Sequence, residues 1–220
     1  MIRDDLYDKV KAQYEEKYGS HVSVLKLWRD NQSHHFVNEM SQYTKWLIKG
    51  DVLLVGCGCG HQVFGLNSLG FNGYGCDISK FAISHAIVPN CKISDVRHLE
   101  YDSKQFLNVV GFDILEHVPL DFLQEAIGEC FRVTKKNLLF RIPFADKGEA
   151  ALSKLMLEDA LTHASSLPDG AWEHYINQGP QWWEEQFSKM YNEKDWLYTY
   201  IKDPIFNNTS DWHLYRFERR

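Results

Sequence analysis

Residues 51–60 read DVLLVGCGCG, an unbroken apolar run followed by glycine at 56, 58 and 60. A short run with no polar alternation fits a strand covered on both faces, as in a parallel sheet. Glycines placed directly after such a strand let the backbone turn tightly and approach a ligand more closely than any side chain would allow. The next residues, HQVFGLNSLG, open a helix. Strand, glycine turn and helix in that order commit the chain to an open α/β sheet, whose ligand crevice lies beyond the carboxyl ends of the strands.

The downstream sequence keeps this alternation. FNGYGCD (71–77) predicts a second strand, and Ser79 the N-cap of a helix in SKFAISHAI. CKISD (91–95) and FLNVVGF (106–112) predict two more strands. A helix is expected from about Pro119 to Arg132, with Pro119 in its first turn and Leu123, Ile127 and Cys130 facing inward. NLLFRI (137–142) predicts a fifth strand that stops at Pro143. Ahead of this core, helices are expected at 5–18 and 32–48, the second with Phe36, Met40, Tyr43 and Leu47 on one face. Behind it, 148–164 reads as helix, 165–180 as loop, PQWWEEQFSKM as a capped helix, and 196–220 as two strands around a polar turn. The expected fold is α/β: a Rossmann-like, doubly wound, mostly parallel seven-stranded sheet with an antiparallel C-terminal hairpin.

The second strand ends in Asp77, 21 residues after Gly56. A carboxylate there can accept both hydroxyls of a ribose. Two cofactor classes use a glycine loop with such an acid. The dinucleotide fingerprint G-x-G-x-x-G wants its third glycine where this chain has His61, whereas Gly60 falls one residue early. G-x-G-x-G fits S-adenosylmethionine, which has no pyrophosphate to seat on the helix, and disfavours a nicotinamide-dependent oxidoreductase.

With these segments in order, the chain resembles the class I S-adenosylmethionine-dependent methyltransferases, especially the branch acting on small molecules and glycans. VLLVGCGCG is similar to the family's first motif, GYGCDIS to its second, and KISDV to the segment whose Asp meets the adenine amino group. GFDILEHVPL resembles the sequence after its fourth strand, and RVTKKNLLFRIPF its fifth strand. The resemblance covers roughly residues 50–144. It implies that Gly56, Cys57, Gly58 and Gly60 line the methionine end of the donor, Asp77 the ribose and Asp95 the adenine. Ile78 and Val96 would flank the ring, and Phe112 would lie near the donor. One position departs: two residues before the first glycine the family usually has an acid, and here stands Leu54. Contacts to the donor's amino end must then come from water, backbone or the N-terminal helices. The implied organisation is one methyltransferase domain over 1–220: a helical cover (1–49), a cofactor-binding core (50–144), an acceptor-side insertion and helix (145–190) and a hairpin (191–220).

Composition narrows the acceptor. With 24 Lys plus Arg against 30 Asp plus Glu, the net charge is -6, which argues against a nucleic-acid acceptor. The expected partner is a small-molecule or glycan acceptor. No apolar run is long enough to span a bilayer, and the N-terminus carries no signal-peptide pattern. Five cysteines at irregular spacing, with no C-x-x-C pair, read as reduced cytoplasmic thiols rather than a zinc site. No resident metal is expected: Asp113 and Glu116 lack a clear third ligand and read as solvated or capping acids.

Methyl transfer to a hydroxyl requires a group that takes the proton. His117, in LEHV beyond the fourth strand, reads either as that base or as helix-start packing. His174, in WEHYINQGPQWW, reads either as a second base candidate or as a loop histidine. His34 and His35 read as surface residues. Aromatic residues are 14% of the chain, yet Trp172–Phe217 holds 13 in 46 positions. Period-two rings in WLYTY (Trp196, Tyr198, Tyr200) read as core, and those near 172–183 as acceptor-site candidates. The function expected is O-methylation of a sugar, glycan intermediate or small metabolite. RNA or protein methylation, or a non-catalytic module that binds the donor, are the alternatives.

Overall fold

The computed structural model describes residues 8, 11, 12, 15, 16, 33–144, 176, 178–202 and 211–220. Helix α1 (Ser33–Tyr43) leads through a 3-10 turn (Thr44–Trp46) to β1 (Asp51–Val55) and α2 (His61–Ser68). There follow β2 (Asn72–Asp77), α3 (Lys80–Ser84), β3 (Cys91–Ile93), β4 (Phe106–Phe112) and a 3-10 turn (Leu115–His117). Helix α4 (Leu120–Val133), β5 (Thr134–Phe144), α5 (Pro180–Ser188), β6 (Trp196–Lys202) and β7 (Asp211–Arg219) complete the described elements.

Seven strands among the described residues form one sheet in the order β3-β2-β1-β4-β5-β7-β6. Strands β3, β2, β1, β4 and β5 are parallel, and β7 runs antiparallel to both β5 and β6. The chain reverses its direction of winding between β1 and β4. Their carboxyl ends therefore flank the crevice in which open α/β sheets bind ligands.

Alternate residues of each strand supply two apolar layers. Val52, Leu54, Val110, Phe112, Leu139 and Leu214 pack with Met40 and Tyr43 of α1 and with Val63 and Leu66 of α2. On the other face Leu53, Val55, Val109, Phe140, Tyr215 and Phe217 meet Phe122, Leu123, Ile127 and Cys130 of α4 and Trp183 and Phe187 of α5. Each large side chain fully buried this way contributes about 1.5–3 kcal/mol. Helix α1 reaches α2 closely because position 65 is glycine: a Cβ there would stand 2.6 Å from the Phe36 carbonyl oxygen.

Several boundaries differ from expectation. The helix expected over 32–48 ends at Tyr43 and tightens into a 3-10 turn. There the Thr44 hydroxyl donates to the Ser41 carbonyl at 2.8 Å, competing with the helical ladder. Pro119 is the N-cap of α4, with ψ 142, rather than a residue of its first turn. Strand β3 ends at Ile93, and its last ladder bond to β2 runs from Ser94 N–H to the Asp77 carbonyl at 2.9 Å. Strand β5 does not stop at Pro143 but runs to Phe144. Pairing with β4 ends at Arg141, and a proline nitrogen on an open side forfeits no ladder bond. The helix expected at 148–164 and the loop that follows lie outside the described residues, as does most of the 5–18 helix.

Candidate active site

The glycine loop leaves β1 with Gly56, Gly58 and Gly60 all at positive φ (70, 51 and 78). Side chains rarely adopt that conformation, which explains why the sequence alternates glycine there. A Cβ on Gly60 would stand 2.9 Å from the Cys91 Sγ, and one on Gly56 2.6 Å from Ile114. The loop is tied to the end of β2: Gly58 N–H donates to Asp77 Oδ2 at 2.8 Å, and Ser79 N–H to Oδ1 at 2.9 Å. Burial pushes the Asp77 carboxyl up, these N–H groups pull it back, and the charge of Glu15 pushes it up again. Glu15 arrives from the N-terminal segment and accepts from Phe81 N–H at 2.9 Å and Ser79 Oγ at 3.2 Å.

The structure thus brings Gly56, Cys57, Gly58, Gly60, Asp77 and Ile78 to the carboxyl ends of β1 and β2. Asp95 and Val96 follow β3, and Phe112 ends β4, at the same edge of the sheet. Asp95 already holds Arg97, whose Nη2 lies 2.8 Å from Oδ2, while Arg97 N–H donates to Oδ1 at 2.8 Å. Cys57 is buried beside Cys91. Their thiol–thiol hydrogen bond and burial push Cys57 far up, and burial pushes Cys59 up to about 11. Protonated thiols like these are poor nucleophiles, so this loop uses them as packing.

His117 sits in the 3-10 turn after β4, with Nε2 3.8 Å from Glu116 Oε1. Glu116 corrects the sequence reading: it is no solvated acid but fully buried, and among the described residues neither of its oxygens accepts a hydrogen bond from another residue. Burial pushes its carboxyl well up, Asp113 adds to this, and Arg141 opposes it. Asp113, at φ 56, is not a capping acid either, because its carboxylate takes the Arg141 guanidinium on both oxygens. Among the described residues no group of three or more His, Cys, Asp or Glu side chains is placed to hold a metal. His174 lies outside the described residues, as does Trp172. His35 is exposed, as expected.

Sequence reasoning missed a second polar cluster at this edge. Arg141 Nη1 donates to Glu39 Oε1 at 2.7 Å and to the Tyr43 hydroxyl at 3.1 Å. Its guanidinium lies 4.6 Å over the Phe112 ring. Burial works against the Arg141 charge, but Asp113, Tyr43 and Glu39 hold it firmly protonated. A signal was present in each case: Glu39 interrupts the apolar stripe Phe36–Met40–Tyr43, and Arg141 interrupts NLLFRIPF.

The aromatic residues sort differently from expectation. Trp183 is core, 1% exposed and stacked on Phe187. Trp196 is core as expected. Tyr200 is 37% exposed and, with Trp182, Pro180, Gln181 and Glu184, lines a cavity of about 530 Å³. A short hydrogen bond joins its hydroxyl to His213 Nδ1.

Strand order, glycine loop and the acid that ends β2 together give the chain the class I methyltransferase fold. Residues 53–142, somewhat under half of the chain, match the family described as methyltransferase domain. No curated protein sequence matches this chain. Among solved structures it is similar to the PH0226 protein of Pyrococcus horikoshii OT3, at 18% identity and TM-score 0.60, covering 89% of this chain and 99% of that one. It is also similar to magnesium protoporphyrin IX methyltransferase of Synechocystis PCC 6803 with bound S-adenosylhomocysteine (16%, 0.55, 89% and 85%). A third is phosphoethanolamine N-methyltransferase 2 of Haemonchus contortus in complex with S-adenosylmethionine (10%, 0.58, 82% and 52%). At such identities the structural likeness is one of fold.

The residues at this edge fit S-adenosylmethionine as a cofactor. Glycine at three of the loop's five positions, with both cysteine side chains buried, leaves room for close backbone approach, and a buried carboxylate closes the end of β2. Among the described residues no helix is long and apolar enough to cross a membrane.

Proposed function

We propose that this chain O-methylates a sugar, glycan intermediate or small metabolite. The observation that supports a hydroxyl acceptor best is the pairing of His117 with Glu116, 3.8 Å apart beyond β4. When bound, S-adenosylmethionine supplies an electrophilic methyl group on a sulfonium sulfur. In our reading the glycine loop 56–60 holds the methionine end, Asp77 accepts from the ribose hydroxyls, and Asp95 accepts from the adenine amino group. Ile78 and Val96 flank the adenine ring, and Phe112 shields the methyl from water, since displacement at a sulfonium gains most from positioning and a dry site. His117 takes the proton that the acceptor hydroxyl gives up as its oxygen bonds to the methyl carbon. The charge then on His117 favours ionisation of Glu116 beside it, which burial otherwise holds protonated, so that carboxylate and imidazolium stabilise each other. His174 is the other candidate for that proton.

Trp182 and Tyr200 line a cavity whose rings and Glu184 carboxylate suit a polyhydroxylated or aromatic acceptor. The net charge of -6 favours a small molecule over RNA. Five free cysteines accord with a cytoplasmic setting.

The test is incubation with isotopically labelled donor and extracts split into small-molecule, RNA and protein fractions, followed by identification of the labelled product. Label on a low-molecular-weight hydroxyl supports the reading, and label confined to RNA or protein overturns it. Replacing His117 and His174 by Ala in turn then separates the two base candidates. The base variant loses the rise in rate between acid and neutral pH that comes as the imidazole sheds its proton, and loses least at low pH, where the protonated ring is no base.

A further inference from the structure

We propose that Glu39, delivered by α1, anchors the α-ammonium of the donor in place of the acid that the strand lacks at Leu54. The inference rests on S-adenosylmethionine being the cofactor and is independent of the acceptor. Leu54 is fully buried and faces the layer formed by Met40 and Tyr43 of α1 and by Phe112. A carboxylate at that strand position would have to compete with this apolar packing. The same helix instead brings in a carboxylate of its own one turn away, 9% exposed.

The surroundings of Glu39 put it between the two elements that bracket the donor's amino-acid end. On one side Gln62, the second residue of the helix that the glycine loop opens, donates its Nε2 to Glu39 Oε1 at 3.1 Å. On the other, Arg141 donates Nη1 to the same oxygen at 2.7 Å while its ring-stacked guanidinium covers Phe112 at the end of β4. Both bonds fall on Oε1. Arg141 does not close on Glu39 in the two-pronged way a guanidinium usually meets a carboxylate, because its Nε and Nη2 go to Asp113. Among the described residues no group donates a hydrogen bond to Oε2 of Glu39, yet it is not sealed off from solvent. A largely buried carboxylate that is rigidly held through one oxygen and keeps the other for an incoming donor suits an ammonium, which brings three N–H groups and a charge.

A thermodynamic cycle tests this on the full chain by calorimetry. The ligands are S-adenosylhomocysteine and its analogue with hydrogen in place of the α-amino group. The proteins are wild type and Glu39→Gln, which keeps an acceptor for Arg141 and Gln62. Losing the amino group should weaken wild-type binding about tenfold or more, Glu39→Gln should weaken S-adenosylhomocysteine by a similar factor, and the variant should bind both ligands alike. Equal weakening of both ligands by the substitution would reduce Glu39 to a structural role and overturn the proposal, as would unchanged affinity. Should Glu39→Gln fold poorly, Glu39→Asp gives the same pattern by retracting the carboxylate. A wild-type chain that binds neither ligand refutes the cofactor assignment itself, and the proposal with it.

Discussion

The backbone N–H of Gly58 points at Asp77 Oδ2 across 2.8 Å, so the glycine loop and the end of β2 form one hydrogen-bonded clasp. Asp77 is 8% exposed, and its second oxygen is taken by Ser79 N–H. The carboxylate therefore shapes the loop as well as offering lone pairs to a ligand. Asp77→Ala should weaken binding of S-adenosylmethionine by ~1.5–3 kcal/mol, because the lost bonds involve a charged partner. Asp77→Asn, which still accepts from Gly58, should lose less. Calorimetry on the two variants decides it, and an undiminished affinity in Asp77→Ala would place the ribose elsewhere.

Glu116 predicts a conflict between stability and activity. Buried with no hydrogen bond from another described residue, its carboxyl is pushed well above the ordinary range. The folded state then holds the proton more firmly than the unfolded state does. Its contribution is present in full below the unfolded glutamate range and is lost as pH rises through the folded value. Glu116→Gln removes that loss and should be more stable than wild type at neutral pH, with the gap closing as pH falls to the ordinary glutamate range. The same variant should transfer methyl groups more slowly. Denaturant unfolding at several pH values reads the first effect. A variant less stable than wild type at neutral pH would show that Glu116 is ionised and paired.

Much of this site was legible because its parts follow one another along the chain. The apolar run before Gly56 dictates a buried strand, and the positive φ at three alternate positions, 56, 58 and 60, dictates glycine there. The acid at the end of the next strand needs no long-range information to be found. Glu39 and Arg141 were not legible in the same way, since they lie 102 residues apart and meet only when α1 docks on α2 beside β5. Glu39 falls at helical spacing from Phe36 and Tyr43, and Arg141 within an apolar strand, but neither position by itself shows its partner. Trp183 and Tyr200 exchanged roles for a related reason. The first lies on the inner face of α5 against Phe187, and the second stands near the open end of β6, which a local pattern of rings does not reveal.

Docking of α1 should be sensitive to one methyl group. Alanine normally favours a helix over glycine by ~0.8–1 kcal/mol, but at position 65 a Cβ would press on the Phe36 carbonyl oxygen at 2.6 Å and on Met40 Cγ at 3.0 Å. Overpacking against backbone costs about 1–3 kcal/mol and should win. Gly65→Ala should therefore lower the melting temperature and, by shifting Glu39 from Arg141 and Gln62, weaken donor binding as well. A variant that melts higher than wild type would mean that α1 yields without cost.

At the opposite edge of the sheet, Asn108 closes the chain's entry into β1. Fully buried, it accepts from Ile48 N–H at 2.9 Å and donates to the Ile48 carbonyl at 2.7 Å, while Asn137 Nδ2 donates to its Oδ1 at 3.1 Å. One side chain thus satisfies a backbone donor and acceptor just ahead of β1 and links β4 to β5. Asn108→Leu is similar in volume and suits the surrounding strand, yet it leaves these groups without partners. Each buried orphan costs ~1–3 kcal/mol, more than the apolar side chain recovers. The variant should unfold at distinctly lower denaturant than wild type. Because Asn108 sits at the amino end of the strand, away from the glycine loop, the folded fraction should bind S-adenosylmethionine with unchanged affinity. Titration at low temperature, where the variant is still folded, checks this, and a loss of affinity there would tie the two edges of the sheet together.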